Sequence, residues 1–131
     1  MGSFADYREN EILDHLFGKG SYTPPTIYVG LSTADPTDDA SGVAEPSGNA
    51  YARVQTAGSD WNVASGGAID NANDINFPEA TGSWGTITHF ALFDATSGGN
   101  MLAHGSLNTS KAIDSGDTAR FAAGDLDVTL D

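Results

Sequence analysis

The chain has 131 residues, a formal net charge of -13, 39% hydrophobic residues, 16 glycines and no cysteine. Without cysteine there is no disulfide, no Cys-ligated zinc and no thiol catalysis. The five basic residues, Arg8, Lys19, Arg53, Lys111 and Arg120, are scattered, which excludes the clustered cations that a nucleic-acid surface needs.

The first residues carry no basic, apolar leader pattern, so no signal peptide is expected. No apolar run is long enough to span a membrane. Ser3–Phe–Ala–Asp6 resembles a capping box, with Ser3 as N-cap. Ile12, Leu13, Leu16 and Phe17 then recur at helical spacing, with Phe4 near the same face, and Gly18–Lys–Gly20 supplies a stop. The reading is an amphipathic helix over about 4–17 whose stripe docks on a sheet or on a neighbouring subunit.

Pro24–Pro25 starts an extended segment. In Thr26–Thr33, Ile27, Val29 and Leu31 alternate with Tyr28, Gly30 and Ser32, which predicts a half-buried strand. Residues 34–50 are rich in Asp, Ser, Gly and Pro and read as a long loop with little to bury, functional or adaptable. Tyr51–Thr56 reads as a strand with Arg53 opposite Val54. Trp61–Val63 and Ala68–Ile69 predict a short hairpin across Ser65–Gly–Gly67. Asp74–Phe77 is a strand stopped by Pro78.

Thr86–Asp94 is apolar on both parities from Phe90 to Phe93, as in a central strand buried on both faces. Ser97–Gly–Gly–Asn100 turns it into Met101–Leu107. Lys111–Ile113 and Thr118–Ala122 flank a turn at Asp114–Asp117. In the terminal Asp125–Asp131, Leu126, Val128 and Leu130 alternate toward the core, so the C-terminus is expected to be pinned in a sheet. Short strands punctuated by turns predict an all-β fold, a single β-sandwich or small barrel-like domain with one N-terminal amphipathic helix. Residues 1–20 form the helical part packed on the domain, and 21–131 form the β-sandwich.

Candidate chemistry is sparse. His89 and His104 fall on adjacent strands and could be cross-strand neighbours, against the plainer reading of unrelated strand histidines. His15 sits at the edge of the helical stripe. Asp35, Asp38 and Asp39, with Ser41 and Glu45, form an oxygen-rich loop that could hold calcium, but the EF-hand spacing is missing. A solvated acidic turn, with Asp35–Pro36 starting it and Asp38 capping backbone amides, is the plainer reading. No Gly-x-Ser-x-Gly elbow occurs. No catalytic residue, cofactor or metal ligand is assigned. Trp84, between Gly82–Ser83 and Gly85, reads as a loop-tip aromatic and interface anchor, or as a plug of the core. The residues singled out for assembly are Phe4, Leu13, Leu16, Phe17, Asp38, Asp39 and Trp84.

Several stretches together carry a resemblance. They are Ile12–Leu–Asp–His–Leu–Phe–Gly–Lys–Gly20, Tyr22–Thr–Pro–Pro–Thr–Ile–Tyr–Val–Gly–Leu–Ser–Thr33, Tyr51–Ala–Arg–Val54, Phe77–Pro78, Trp84–Asp94 and Leu102–Ala–His–Gly105. As a set they resemble a family of small tailed-bacteriophage structural proteins commonly labelled phage tail fibre proteins. The resemblance implies a non-enzymatic virion component, made in the host cytoplasm, with other virion proteins (major capsid or tail proteins) as partners. Symmetric association as a homo-oligomer, a trimer for instance, suits a virion part, and the scattered cations and short apolar runs make neither nucleic acid nor membrane an expected partner. The compact, unrepetitive sequence makes a small head-decoration (cement) subunit the leading expectation. A tail-fibre or tail-tip protein in host recognition is the alternative. A calcium-assisted carbohydrate-binding module is more distant.

Overall fold

In the computed structural model, which describes residues 2–130, turn residues divide the chain into nine strands and one α-helix. In chain order they are β1 (Gly2–Phe4), α1 (Asp6–Leu16), β2 (Tyr28–Ser32), β3 (Val54–Gln55), β4 (Ala68–Asp70), β5 (Ile75–Glu79), β6 (Gly85–Phe93), β7 (Met101–Ile113), β8 (Thr118–Phe121) and β9 (Asp127–Thr129). Seven strands form one sheet in the order β3-β2-β6-β7-β1-β9-β4, and β5 and β8 form a second, small one. Every pairing is antiparallel except β1 with β9. The architecture is all-β with one N-terminal helix, as the turn-punctuated sequence predicts.

The doubly apolar run becomes the central strand β6. Its Phe90–Phe93 are all buried because both faces of the sheet are covered. On one face, Val29 lies opposite Leu92 and Leu31 opposite Phe90. That face packs on the small sheet, where Phe121 meets Phe77 and Phe90 edge-on at 6.3 and 6.1 Å. On the other face, Gly30 lies opposite Ala91 and Tyr28 opposite Phe93. A second, smaller apolar cluster forms there from Ala5, Ala91, Phe93 and Met101, with Ala40 and Val43 of the long loop against it.

The structure corrects several sequence expectations. Ser3 is not an N-cap: residues 2–4 are a strand between β7 and β9, and the helix starts after Ala5. Pairing on both sides outweighs local capping chemistry. The Ala5 and Asp6 N–H groups are satisfied instead by the Leu102 and Asp38 carbonyls. Pro78 does not stop its strand. β5 runs through it, because the register with β8 breaks between Asn76 and Glu79 and the missing N–H falls in that irregularity.

The turn at Asp114–Asp117 connects the two sheets: Lys111–Ile113 is the end of the long strand β7, and β8 beyond the turn pairs with β5. Between the pairs Ile87–Lys111 and His89–Ser106, β7 carries a multi-residue bulge that absorbs the extra length. Leu130 is exposed, not in the core, because strand pairing ends at Thr129. The expected pinning of the C-terminal segment holds, since β9 is paired on both sides.

One buried side chain stitches this segment in place. Asn71 is fully buried. Its Oδ1 accepts from the Leu126 N–H at 2.9 Å, and its Nδ2 donates to the carbonyls of Asn73 and Ala122 at 2.8 and 2.9 Å. Truncation would strand an N–H and two carbonyls without water. Asn71→Ala is therefore expected to lower the free energy of unfolding by about 2–3 kcal/mol, measured by denaturant titration. A loss under about 0.5 kcal/mol would show that water replaces the amide.

Candidate functional site

Two surfaces gather the residues that composition and patterning single out. One is the acidic loop 34–50. The other is the outer side of α1.

The loop is not an idle connection. Pro36 is fully buried, and Ala40 and Val43 pack on the second face of the sheet. Its lock is Arg53, whose side chain is 6% exposed. Arg53 Nη2 donates to Glu45 Oε1 at 2.6 Å, and Nε donates to Glu45 Oε2 at 3.0 Å. Nη1 donates to the carbonyls of Ala95 and Gly98 in the β6–β7 turn, at 2.8 and 2.9 Å. The guanidinium lies 3.5 Å over the Phe93 ring. One planar cation thus joins the loop, the sheet face and the hairpin turn.

Tyr51 completes the lock. Its hydroxyl donates to Glu45 Oε2 at 2.6 Å and accepts from the Leu31 N–H at 2.9 Å. β3 is too short to reach Leu31, so the phenol serves as the missing strand partner. Burial, and then the bond to Glu45, push the Tyr51 pKa well above its ordinary value. Gly30 makes room: a Cβ there would stand 3.0 Å from Glu45 Oε2 and 3.0 Å from the Phe93 ring.

Asp35 and Asp38 share His104, while Asp39 and Glu45 have partners of their own. Asp38 Oδ1 lies 2.7 Å from His104 Nε2, and Asp35 Oδ1 lies 4.0 Å from His104 Nδ1. Asp35 also accepts from the Thr37 N–H. Asp39 accepts from the Thr37 hydroxyl at 2.7 Å and the Ser41 N–H at 3.0 Å. Glu45 is held by Arg53 and Tyr51. The five proposed oxygen donors therefore do not gather at one point, and no group of three or more His, Asp or Glu side chains placed to hold a metal occurs among the described residues.

His89 and His104 are not direct cross-strand partners. His89 lies opposite Ser106 and bonds Thr88, while His104 lies opposite Ala91 and reaches the loop. The link from His104 to Asp38, 66 residues apart in sequence, left no local signal. Neither did the role of Arg53, although Tyr51–Ala–Arg–Val54 stood out as a motif.

The remaining assembly candidates divide. Leu13, Leu16 and Phe17 are 52%, 71% and 71% exposed, so the stripe is not docked on the sheet as one of its two readings required. The helix instead buries Arg8. Phe4, on β1, is half-buried against the core. Trp84 is not at an exposed loop tip: it is 3% exposed. Its Nε1 donates to the Asn49 carbonyl at 2.8 Å, and its ring meets Tyr51 edge-on at 5.2 Å.

No described helix is long and apolar enough to cross a membrane. No curated protein matches the chain. A family model described as Podophage GP4 fiber I protein gp80 matches residues 3–129, and the chain belongs to that family.

The lock is tested by removing its cation. Arg53→Met keeps much of the stem but leaves the half-buried Glu45, and the Ala95 and Gly98 carbonyls, without their cation. It is expected to cost about 3 kcal/mol in denaturant unfolding and to make loop 34–50 the first site of protease cleavage. Unchanged stability and cleavage elsewhere would refute the lock.

The second prediction concerns acid. The Ser41 and Thr37 hydroxyls and the Ser41 N–H hold the Asp39 carboxyl down to about 2. Burial alone would raise Asp94, but the Asn100 backbone and side-chain donors outweigh it and hold that carboxyl below its usual range. Groups depressed in the folded state contribute stability above their unfolded pKa and lose it as pH falls through the folded one. Stability should therefore decline from about pH 4 toward pH 2. Asp39→Asn should flatten that decline in thermal melts across this range.

Proposed function

Starting from membership of that family, we propose that the chain is a structural component of the tail fibre of a tailed bacteriophage. Its role is to contact other virion proteins and not to catalyse. The family match over residues 3–129 carries this reading. It favours the tail-fibre alternative over the head-decoration subunit that compactness alone suggested.

The geometry suits a rigid structural part. Both faces of the central strand are covered, and the longest loop is fixed by charge-assisted hydrogen bonds. Leu13, Leu16 and Phe17 supply exposed apolar contacts for assembly. Asp38 and Asp39 are engaged within the loop, so their part in assembly would be to shape it. Trp84 would act through the core that it fills. Self-association, as a trimer for instance, belongs to the same proposal. The calcium-assisted carbohydrate module draws little from the geometry, since its oxygen donors diverge and its leading aromatic, Trp84, is buried.

The test is to locate and count the chain in purified particles. Immunogold labelling should decorate tail appendages, and quantitative mass spectrometry should find far fewer copies than of the major shell protein. Label spread over the head, with copies comparable to the shell protein, would overturn the fibre reading and restore the cement subunit.

A further inference from the structure

β1 and α1 form an arm that fills a slot made by strands from later in the chain. β1 lies inside the large sheet, between β7 and β9. Gly2, Ser3 and Phe4 face Gly105, His104 and Ala103 on one side, and Gly2 and Ser3 face Val128 and Thr129 on the other. Ala5 then joins the second apolar cluster, and its N–H goes to the Leu102 carbonyl. Beyond that point the arm is held lightly, since Arg8 is the one buried residue of α1.

The connection from the arm to β2 is also lightly held. Residues 18–27 carry no helix or strand. The Lys19 and Gly20 N–H groups turn back to the Asp14 carbonyl, and the Tyr22 ring packs on His15 and Arg8, so the first half travels with the arm. Residues 23–26 make no hydrogen bond to the other described residues. Pro24–Pro25 keeps this stretch extended. Short, stiff hinges invite exchange of the element they carry.

The slot itself selects its occupant. Gly2 is buried, and a Cβ there would stand 2.5 Å from the tip of the Phe90 ring and 2.6 Å from the His104 carbonyl oxygen. A strand with a larger residue at that place does not fit. The arm of a second copy carries the same glycine and makes the same contacts. Exchange also covers what a single copy leaves in water. Leu13, Leu16 and Phe17 are exposed at the end of α1, next to the hinge, where two bodies meet when an arm crosses.

We propose that the chain associates with copies of itself by exchanging this arm. β1 of one copy fills the slot between β7 and β9 of another, and the stripe at the end of α1 is buried at the junction. Cyclic exchange closes a ring, and passing each arm onward builds an open chain. Each copy carries a charge of -13, so repulsion opposes the exchange and salt favours it. The inference rests on strand pairing, so its failure would leave the fibre reading untouched.

The chain has no cysteine, so engineered ones can report the exchange. Ser3 and His104 are cross-strand partners. Full-length chains with Ser3→Cys alone and His104→Cys alone are mixed at high concentration and high salt, cycled through mild denaturant and oxidised. A disulfide between the two variants requires the arm of one copy in the slot of the other. The mixed dimer should exceed each same-variant dimer at least roughly tenfold on a non-reducing gel. Leu16→Asn with Phe17→Asn, both exposed in the single copy, should raise the concentration needed for half yield roughly tenfold. A chain with both cysteines should link copies to one another when concentrated before oxidation. Closure within single copies at every concentration would overturn the proposal, as would a mixed dimer no more abundant than the same-variant ones. Sedimentation of the unsubstituted chain checks the result independently: a monomer at every concentration would also overturn it. Association that persists without the mixed disulfide would show that copies dock without exchanging arms, and would refute it.

Discussion

Much of this fold turns on one guanidinium. Arg53 is nearly buried, and it faces a carboxylate, two backbone carbonyls and an aromatic ring. A buried cation is tolerable only when its partners are aligned around it. Here the partners come from three places: Glu45 in the long loop, Phe93 on the central strand, and Ala95 and Gly98 in the hairpin turn. Satisfying the charge therefore fixes all three relative to one another. A lysine could not do this, because a single ammonium lacks the planar fork that reaches both the carboxylate and the carbonyls.

The loop needs such a lock because its backbone is strained. Thr37, Ala40, Asn49 and Ala50 all have positive φ, and all lie within or at the end of that loop. Each non-glycine residue in the left-handed region costs on the order of 1 kcal/mol. The loop also passes close to itself at Gly42, where a Cβ would collide with the Asp35 carbonyl. Strain of this kind persists only if the surroundings over-determine the conformation. The Arg53–Glu45–Tyr51 cluster, the His104–Asp38 contact and the burial of Pro36 supply that determination. In return, the loop covers the second face of the sheet and its Asp38 carbonyl caps α1. Sheet, loop and helix start are thus one coupled unit.

The coupling bears on how the protein can assemble. Asp38 and Asp39 stand at the surface, each already bonded within the chain, to His104 and to Thr37 and Ser41. Beside them in water is the outer stripe of α1, Leu13, Leu16 and Phe17. In a chain of net charge -13, burial of that stripe against another protein would supply affinity, while the overall charge disfavours acidic surfaces.

The sequence by itself determined the class of fold, and the reason is periodicity. Alternation in Tyr28–Ser32, the doubly apolar Phe90–Phe93 and the turn at Ser97–Asn100 depend only on near neighbours in the chain, so the central hairpin and its flanking strand were legible. Helix α1 was legible in kind but not in its start, because the pairing of β1 with β7 and β9 involves strands from the far end of the chain. Only the tertiary structure decided that Trp84 is core, that the helical stripe stays in water, and that loop 34–50 is a cover held by Arg53. Each of these depends on contacts across many residues, where a polar or apolar side chain is defined by what the fold brings to it and not by what precedes or follows it.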